Sequence, residues 1–143
     1  MGQDNSKHLD NANEKLVDLM LEGIDHGVES IKGGNGPLIP FSITETNGEK
    51  KIIRFVTERL EEGLEKGKES IKNNLESELA VLVYDGYLTT DNIKYDAILV
   101  IGFDRTDNVA YLIGQKYKPK KFLSRLKPIG NPLYLGTEVQ LLK

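Results

Sequence analysis

Asp85, Tyr87 and Asp96 are the residues whose types and spacing come nearest to a chemical site. A two-residue turn at Asp91-Asn92 between two strands places Tyr87 opposite Asp96, with Asp85 two positions further along. Tyr84 and Tyr95 fall in the same neighbourhood by this count. Carboxylates brought together can have one pKa raised, which suits general acid–base chemistry or a divalent ion. Asp and Tyr at strand ends and turns are also ordinary solvated residues. The cluster stands as a candidate for catalysis or small-ligand binding.

A second candidate is the run Lys116-Tyr117-Lys118-Pro119-Lys120-Lys121-Phe122-Leu123-Ser124-Arg125-Leu126-Lys127. Lys116, Lys118, Lys120, Lys121, Arg125 and Lys127 give it six positive charges and no negative one, which leaves −9 for the rest of a chain whose total is −3. With Tyr117 and Phe122 interleaved, it could grip phosphates and stack on bases. It could equally dock on acidic helices of its own or a neighbouring subunit, or be a solvated loop. A pI near 5.5 is low for a nucleic-acid binder, so a docking or solvated loop is the preferred expectation, with the six basic residues as candidates for contacting an anionic partner.

Other chemistries are closed off by residue counts. The chain has no cysteine, which removes disulfides, thiolate metal sites and cysteine nucleophiles. Two histidines cannot make a three-histidine metal centre. His8 falls in a polar leader, and His26 sits off the apolar stripe of a helix between Asp25 and Glu29. Gly33-Gly34-Asn35-Gly36-Pro37 lacks the lysine and hydroxyl residue of a phosphate loop, and it follows a helix rather than a strand. Asp104-Arg105-Thr106-Asp107-Asn108 has the oxygens but not the spacing of a calcium loop. No metal and no cofactor are expected.

The elements that position these groups follow from periodicity. Leu16, Leu19, Met20, Ile24, Val28 and Ile31 recur at three and four, an amphipathic helix ended by Gly33-Gly34 and Pro37. Strands follow over 38–45 and 50–56, joined at Thr46-Asn47-Gly48. A three-residue loop with Gly48 as a bulge is preferred there. It pairs Phe41 with Ile53 and keeps Arg54 off the apolar face, whereas a two-residue loop pairs Phe41 with Arg54. Thr57 is expected to cap a second helix carrying Leu60, Leu64, Ile71 and Leu75. Strands are then expected over 79–90, with Gly86 as a bulge, over 95–103, 109–117 and 133–141.

Residues 22–32 resemble residues 62–72, with seven of eleven positions identical at an offset of 40. The match places Gly23 and Gly27, and again Gly63 and Gly67, one turn apart on helices, where each glycine costs ~1 kcal/mol against alanine. Such smooth strips let something come close. The expectation is that the two helices pack strip to strip, related by a pseudo-two-fold axis. The alternative is that each strip faces the sheet, making room for large strand side chains.

The fold expected is α+β: two helices packed on one face of a mostly antiparallel sheet of five to seven strands, with a tandem αββ-αββ repeat and extra C-terminal strands. Residues 1–12 read as a flexible leader, and 13–143 as one domain with sub-repeats about 13–56 and 57–103. The strands 79–84 and 95–103 are apolar on both faces and need cover on both. That favours a homo-oligomer, with Leu38, Ile52 and Val56 as candidates for the second face. No run approaches the ~20 apolar residues of a membrane span, and a cytoplasmic location is expected. The leading functional expectation is a small non-enzymatic binding or interaction module that self-associates. An enzyme or ligand-binding domain using Asp85, Tyr87 and Asp96 is the alternative, and nucleic-acid binding through 116–127 the weaker one.

Overall fold

The computed structural model describes residues 9, 12–33, 37–119 and 126–143. Helix α1 (Glu14–Gly33) begins where the Asn13 side chain accepts the Lys15 amide at 2.9 Å, a local N-cap bond. It buries Leu16, Leu19, Met20, Ile24, Val28 and Ile31 together with Gly23 and Gly27. Strands β1 (Phe41–Thr46) and β2 (Glu49–Arg54) form a hairpin. Helix α2 (Leu60–Lys72) follows, and then β3 (Leu79–Thr90), β4 (Ile93–Asp104), β5 (Val109–Lys118), β6 (Lys127–Pro128) and β7 (Leu133–Val139). The class is α+β, as the periodicities indicate: two helices on an antiparallel seven-stranded sheet. The strand order is β2-β1-β3-β4-β5-β6, and β7 also pairs with β5.

The helices lie on opposite faces, not on one. Added Cβ atoms at Gly23 and Gly27 of α1 would meet Val81, Val83, Ile98 and Val100, whereas one at Gly67 of α2 would meet Leu82 and Phe55. Val81 and Val83 alternate with Leu82 along β3, so the two sets point to opposite sides. The buried clusters divide in the same way. One joins α1 to Val81, Val83, Ile98, Val100 and Ile113, and the other joins Ile71 of α2 to Leu82, Ile101, Phe103 and Leu142. The topology supplies the reason. β2 and β3 are each antiparallel to β1 and therefore parallel to one another, so α2 is a crossover whose face is set by handedness rather than by α1.

Gly23, Gly27 and Gly67 accordingly face the sheet, and Gly63 faces the chain flanking the first hairpin. An added Cβ would fall 2.9 Å from Val83 at Gly23, 3.1 Å from Ile98 at Gly27, 2.6 Å from Leu82 at Gly67 and 2.6 Å from the Phe55 carbonyl at Gly63. Each copy of the repeat is a helix followed by an antiparallel hairpin, α1-β1-β2 and α2-β3-β4. With the helices on opposite faces, no two-fold axis between antiparallel β1 and β3 relates the two units.

Three local expectations are corrected. The first hairpin has the two-residue loop, with Asn47 and Gly48 at positive φ (51° and 84°) and Thr46 paired with Glu49, so Phe41 does face Arg54. This costs little because β2 is an edge strand, and Arg54 is exposed at its end. Gly86 is not a bulge: β3 runs in unbroken register with β4, and Leu99 leans over Gly86 with Cδ1 2.7 Å from where a Cβ would stand. Thr57 does not cap α2. Arg59 is the N-cap residue without a side-chain bond, and the Thr57 hydroxyl donates to the Arg59 carbonyl at 2.5 Å. Of the apolar residues suggested for the second face, Leu38 is buried in the α1 core, whereas Ile52 and Val56 are exposed.

Candidate functional site

The β3–β4 hairpin turns at Asp91 and Asn92, both at positive φ (52° and 65°), the two-residue geometry that sets the count along both strands. Thr90 pairs with Ile93 and Tyr87 with Asp96, as the spacing predicts. Asp85, Tyr87 and Asp96 therefore share the α1 side of the sheet. Tyr84 and Tyr95 fall on the other face by the same alternation and do not join the cluster. There Lys116 packs its ammonium 4.5 Å from the Tyr95 ring centroid.

A residue outside the expected set completes the site. Tyr117 on β5 pairs with Asp96 across β4, and its hydroxyl donates to Asp85 at 2.8 Å to Oδ1, with Oδ2 at 3.1 Å. Burial pushes the Asp85 carboxyl above its ordinary value. The Tyr117 hydroxyl and the Leu38 and Gly86 amides, all donating to the carboxylate, pull it back, and the nearby Asp96 charge adds to the rise. Burial, and then the bond to Asp85, also push the Tyr117 phenol up. Tyr87 is 61% exposed, with the Lys94 ammonium 4.2 Å from its ring centroid. Asp96 is half-buried, and its carboxylate makes no hydrogen bond or ion pair among the described residues.

These groups open onto a cleft of about 380 Å³, within the ~300–1,000 Å³ range of ligand sites. Pro37, Leu38 and Pro40 form one wall, Leu60, Glu61 and Leu64 of α2 another, and consecutive Tyr84-Asp85-Gly86-Tyr87 the floor, with Asp96 behind. The prolines explain the opening. β1 pairs with β3 only from Leu79 to Val83, and the chain before Phe41, where Pro37 and Pro40 have no amide proton, does not continue the ladder. The Pro40 carbonyl instead accepts from Phe55, and the Leu38 amide turns to the Asp85 side chain. Among the described residues, Tyr84–Thr90 has β4 as its one strand neighbour. Two shallower depressions of about 500 and 510 Å³ lie elsewhere, and neither contains a candidate site residue.

The basic run is seen only in part. Lys116 and Lys118 lie on β5 and Lys127 on β6, where Lys118 pairs with Lys127. Lys120, Lys121, Phe122 and Arg125 lie outside the described residues. Among the described residues, no group of three His, Asp or Glu side chains is arranged to hold a metal ion. No helix among them is long and apolar enough to cross a membrane.

No protein-family model, no curated protein and no solved structure matches this chain, so its functional reading rests on its own residues.

Proposed function

We propose that this chain is a non-enzymatic interaction module that docks an extended segment of a partner, a second copy of itself included, at the cleft along β3. The observation that carries this reading is the stretch Tyr84–Thr90, which pairs with β4 alone and whose first four residues line a cavity with apolar walls. A strand edge without a paired strand offers backbone donors and acceptors in a row, and an added strand satisfies them. Tyr87 near the end of β3, Ile93 at the start of β4 and Leu135 on β7 are exposed apolar side chains, and they support association with another chain. Amide spectra recorded across a tenfold dilution, and again with added extended peptides, test the proposal. The signals of Tyr84–Thr90 are expected to move together. If they stay fixed under both conditions, no docking occurs there.

A second reading has its own observation. Asp85 is a half-buried carboxyl of raised pKa, hydrogen-bonded to a tyrosine and facing a cleft, which suits a proton-transfer or small-ligand site. A fragment-screen hit that perturbs the Asp85 and Tyr117 signals, and not Thr89 or Thr90, would favour it over strand docking.

A further inference from the structure

We infer that the docked segment is basic, with two adjacent Lys or Arg residues whose side chains pass to the two sides of the β3 edge. The inference rests on the docking reading above and adds the chemistry of the partner. Three carboxylates, from Glu61, Asp85 and Asp96, line the cleft, and no lysine or arginine does. On the Asp96 side, the Lys94 ammonium is placed over the Tyr87 ring.

The carboxylates are divided between the faces. Asp85 and Asp96 lie on the α1 side with Tyr87, while Glu61 belongs to α2, which covers the opposite face. Neighbouring residues of an added strand point to opposite faces, so two consecutive basic residues reach both groups from one backbone. Asp85 already accepts from Tyr117 and two amides, but the carboxylates of Glu61 and Asp96 have no hydrogen bond or ion pair among the described residues. Those two are left to receive the incoming charges.

The other edges make the same point by contrast. β2 carries Lys50, Lys51 and Arg54, and charges of this kind on an outer strand deter pairing. On β7 the pairing with β5 is interrupted by a register shift, beside Gly136 at a φ of 135°. The open stretch of β3, Tyr84-Asp85-Gly86-Tyr87-Leu88-Thr89-Thr90, has no bulge and no basic residue of its own, and the two ammonium groups beside it are engaged, Lys94 over the Tyr87 ring and Lys116 with the Thr90 hydroxyl at 3.5 Å.

Dye-labelled hexapeptides of sequence Thr-Val-Lys-Lys-Val-Thr, with Gln-Gln or Glu-Glu at the centre as controls, test this by fluorescence anisotropy. The Lys-Lys peptide is expected to bind about tenfold more tightly than the Gln-Gln peptide, the Glu-Glu peptide not at all, and added salt to weaken the first alone. Asp96→Asn combined with Glu61→Gln removes the two unpaired charges and is expected to bring the Lys-Lys peptide to the Gln-Gln level. A Lys-Lys peptide N-methylated at alternate residues keeps its charge but cannot pair, and is expected not to bind. Equal binding of all three peptides would overturn the basic partner while leaving strand docking in place. Full binding of the methylated peptide would overturn the strand geometry. Binding of none, with Tyr84–Thr90 signals unmoved, would remove the docking reading as well.

Discussion

Asp85 is held from three directions, by the Tyr117 hydroxyl and by the Leu38 and Gly86 amides, and burial still outweighs these donors in setting its pKa. A carboxyl whose folded pKa is raised contributes stability that is fully present below its ordinary value of 3.8 and is lost as pH rises through the folded value. The variant Asp85→Asn keeps the shape and an accepting oxygen but does not titrate. The stability of the unsubstituted chain minus that of Asp85→Asn is therefore expected to fall as pH is raised from 3.8 and then to level off. Denaturant unfolding of both proteins at several pH values measures this difference. A difference that stayed flat or rose with pH would show that the donors, not burial, dominate at this residue.

At the scale of elements, four helical glycines could be found by spacing, but not which surface they meet. Alanine is the better helix former by ~1 kcal/mol, so the sign of a Gly→Ala change reports the surroundings. At Gly63 the new Cβ would lie 2.6 Å from a backbone carbonyl, that of Phe55, which cannot swing aside as a side chain does. Gly63→Ala is expected to destabilise by about 1–3 kcal/mol. Gly33 has nothing within 4 Å, and Gly33→Ala is expected to stabilise by ~0.5 kcal/mol. Thermal unfolding of the pair checks both signs. The same division between local and distant explains what else could be read. The Asp91-Asn92 turn is two residues long, so Tyr87 opposite Asp96 follows by counting within one hairpin. Tyr117 joins Asp85 only through the register of β4 on β5, which the residues between those strands do not specify. The register of the first hairpin differs from the expected one because Arg54 does not need removal from the apolar face. On an edge strand that side chain reaches water from either face. The side of the sheet that α2 covers is a property of the crossover from β2 to β3, and two similar amphipathic stripes contain no trace of it.

Across the whole molecule, the sheet has an outer strand, β2, that would accept another copy if its charges allowed. Two copies pairing antiparallel about an axis normal to the sheet must match residues of like parity, since each side chain keeps its face. Two such registers overlap five of the six β2 residues. One sets Lys51 opposite Lys51, and the other sets Lys50 opposite Arg54. Like charges directly opposed oppose pairing, so both registers are blocked. Lys50 is tied to Glu22 of α1 at 2.9 Å on the exposed surface, while Lys51 and Arg54 have no ion pair among the described residues. The double variant Lys51→Val, Arg54→Val breaks the like-charge pair in each blocked register and leaves the Lys50–Glu22 pair in place. It is expected to self-associate with concentration, measured by light scattering, under conditions where Lys51→Arg behaves as the unsubstituted chain does. If the double variant associates no more than Lys51→Arg, the charges on β2 are not what keeps that edge single, and the contrast with the unguarded edge of β3 loses its meaning.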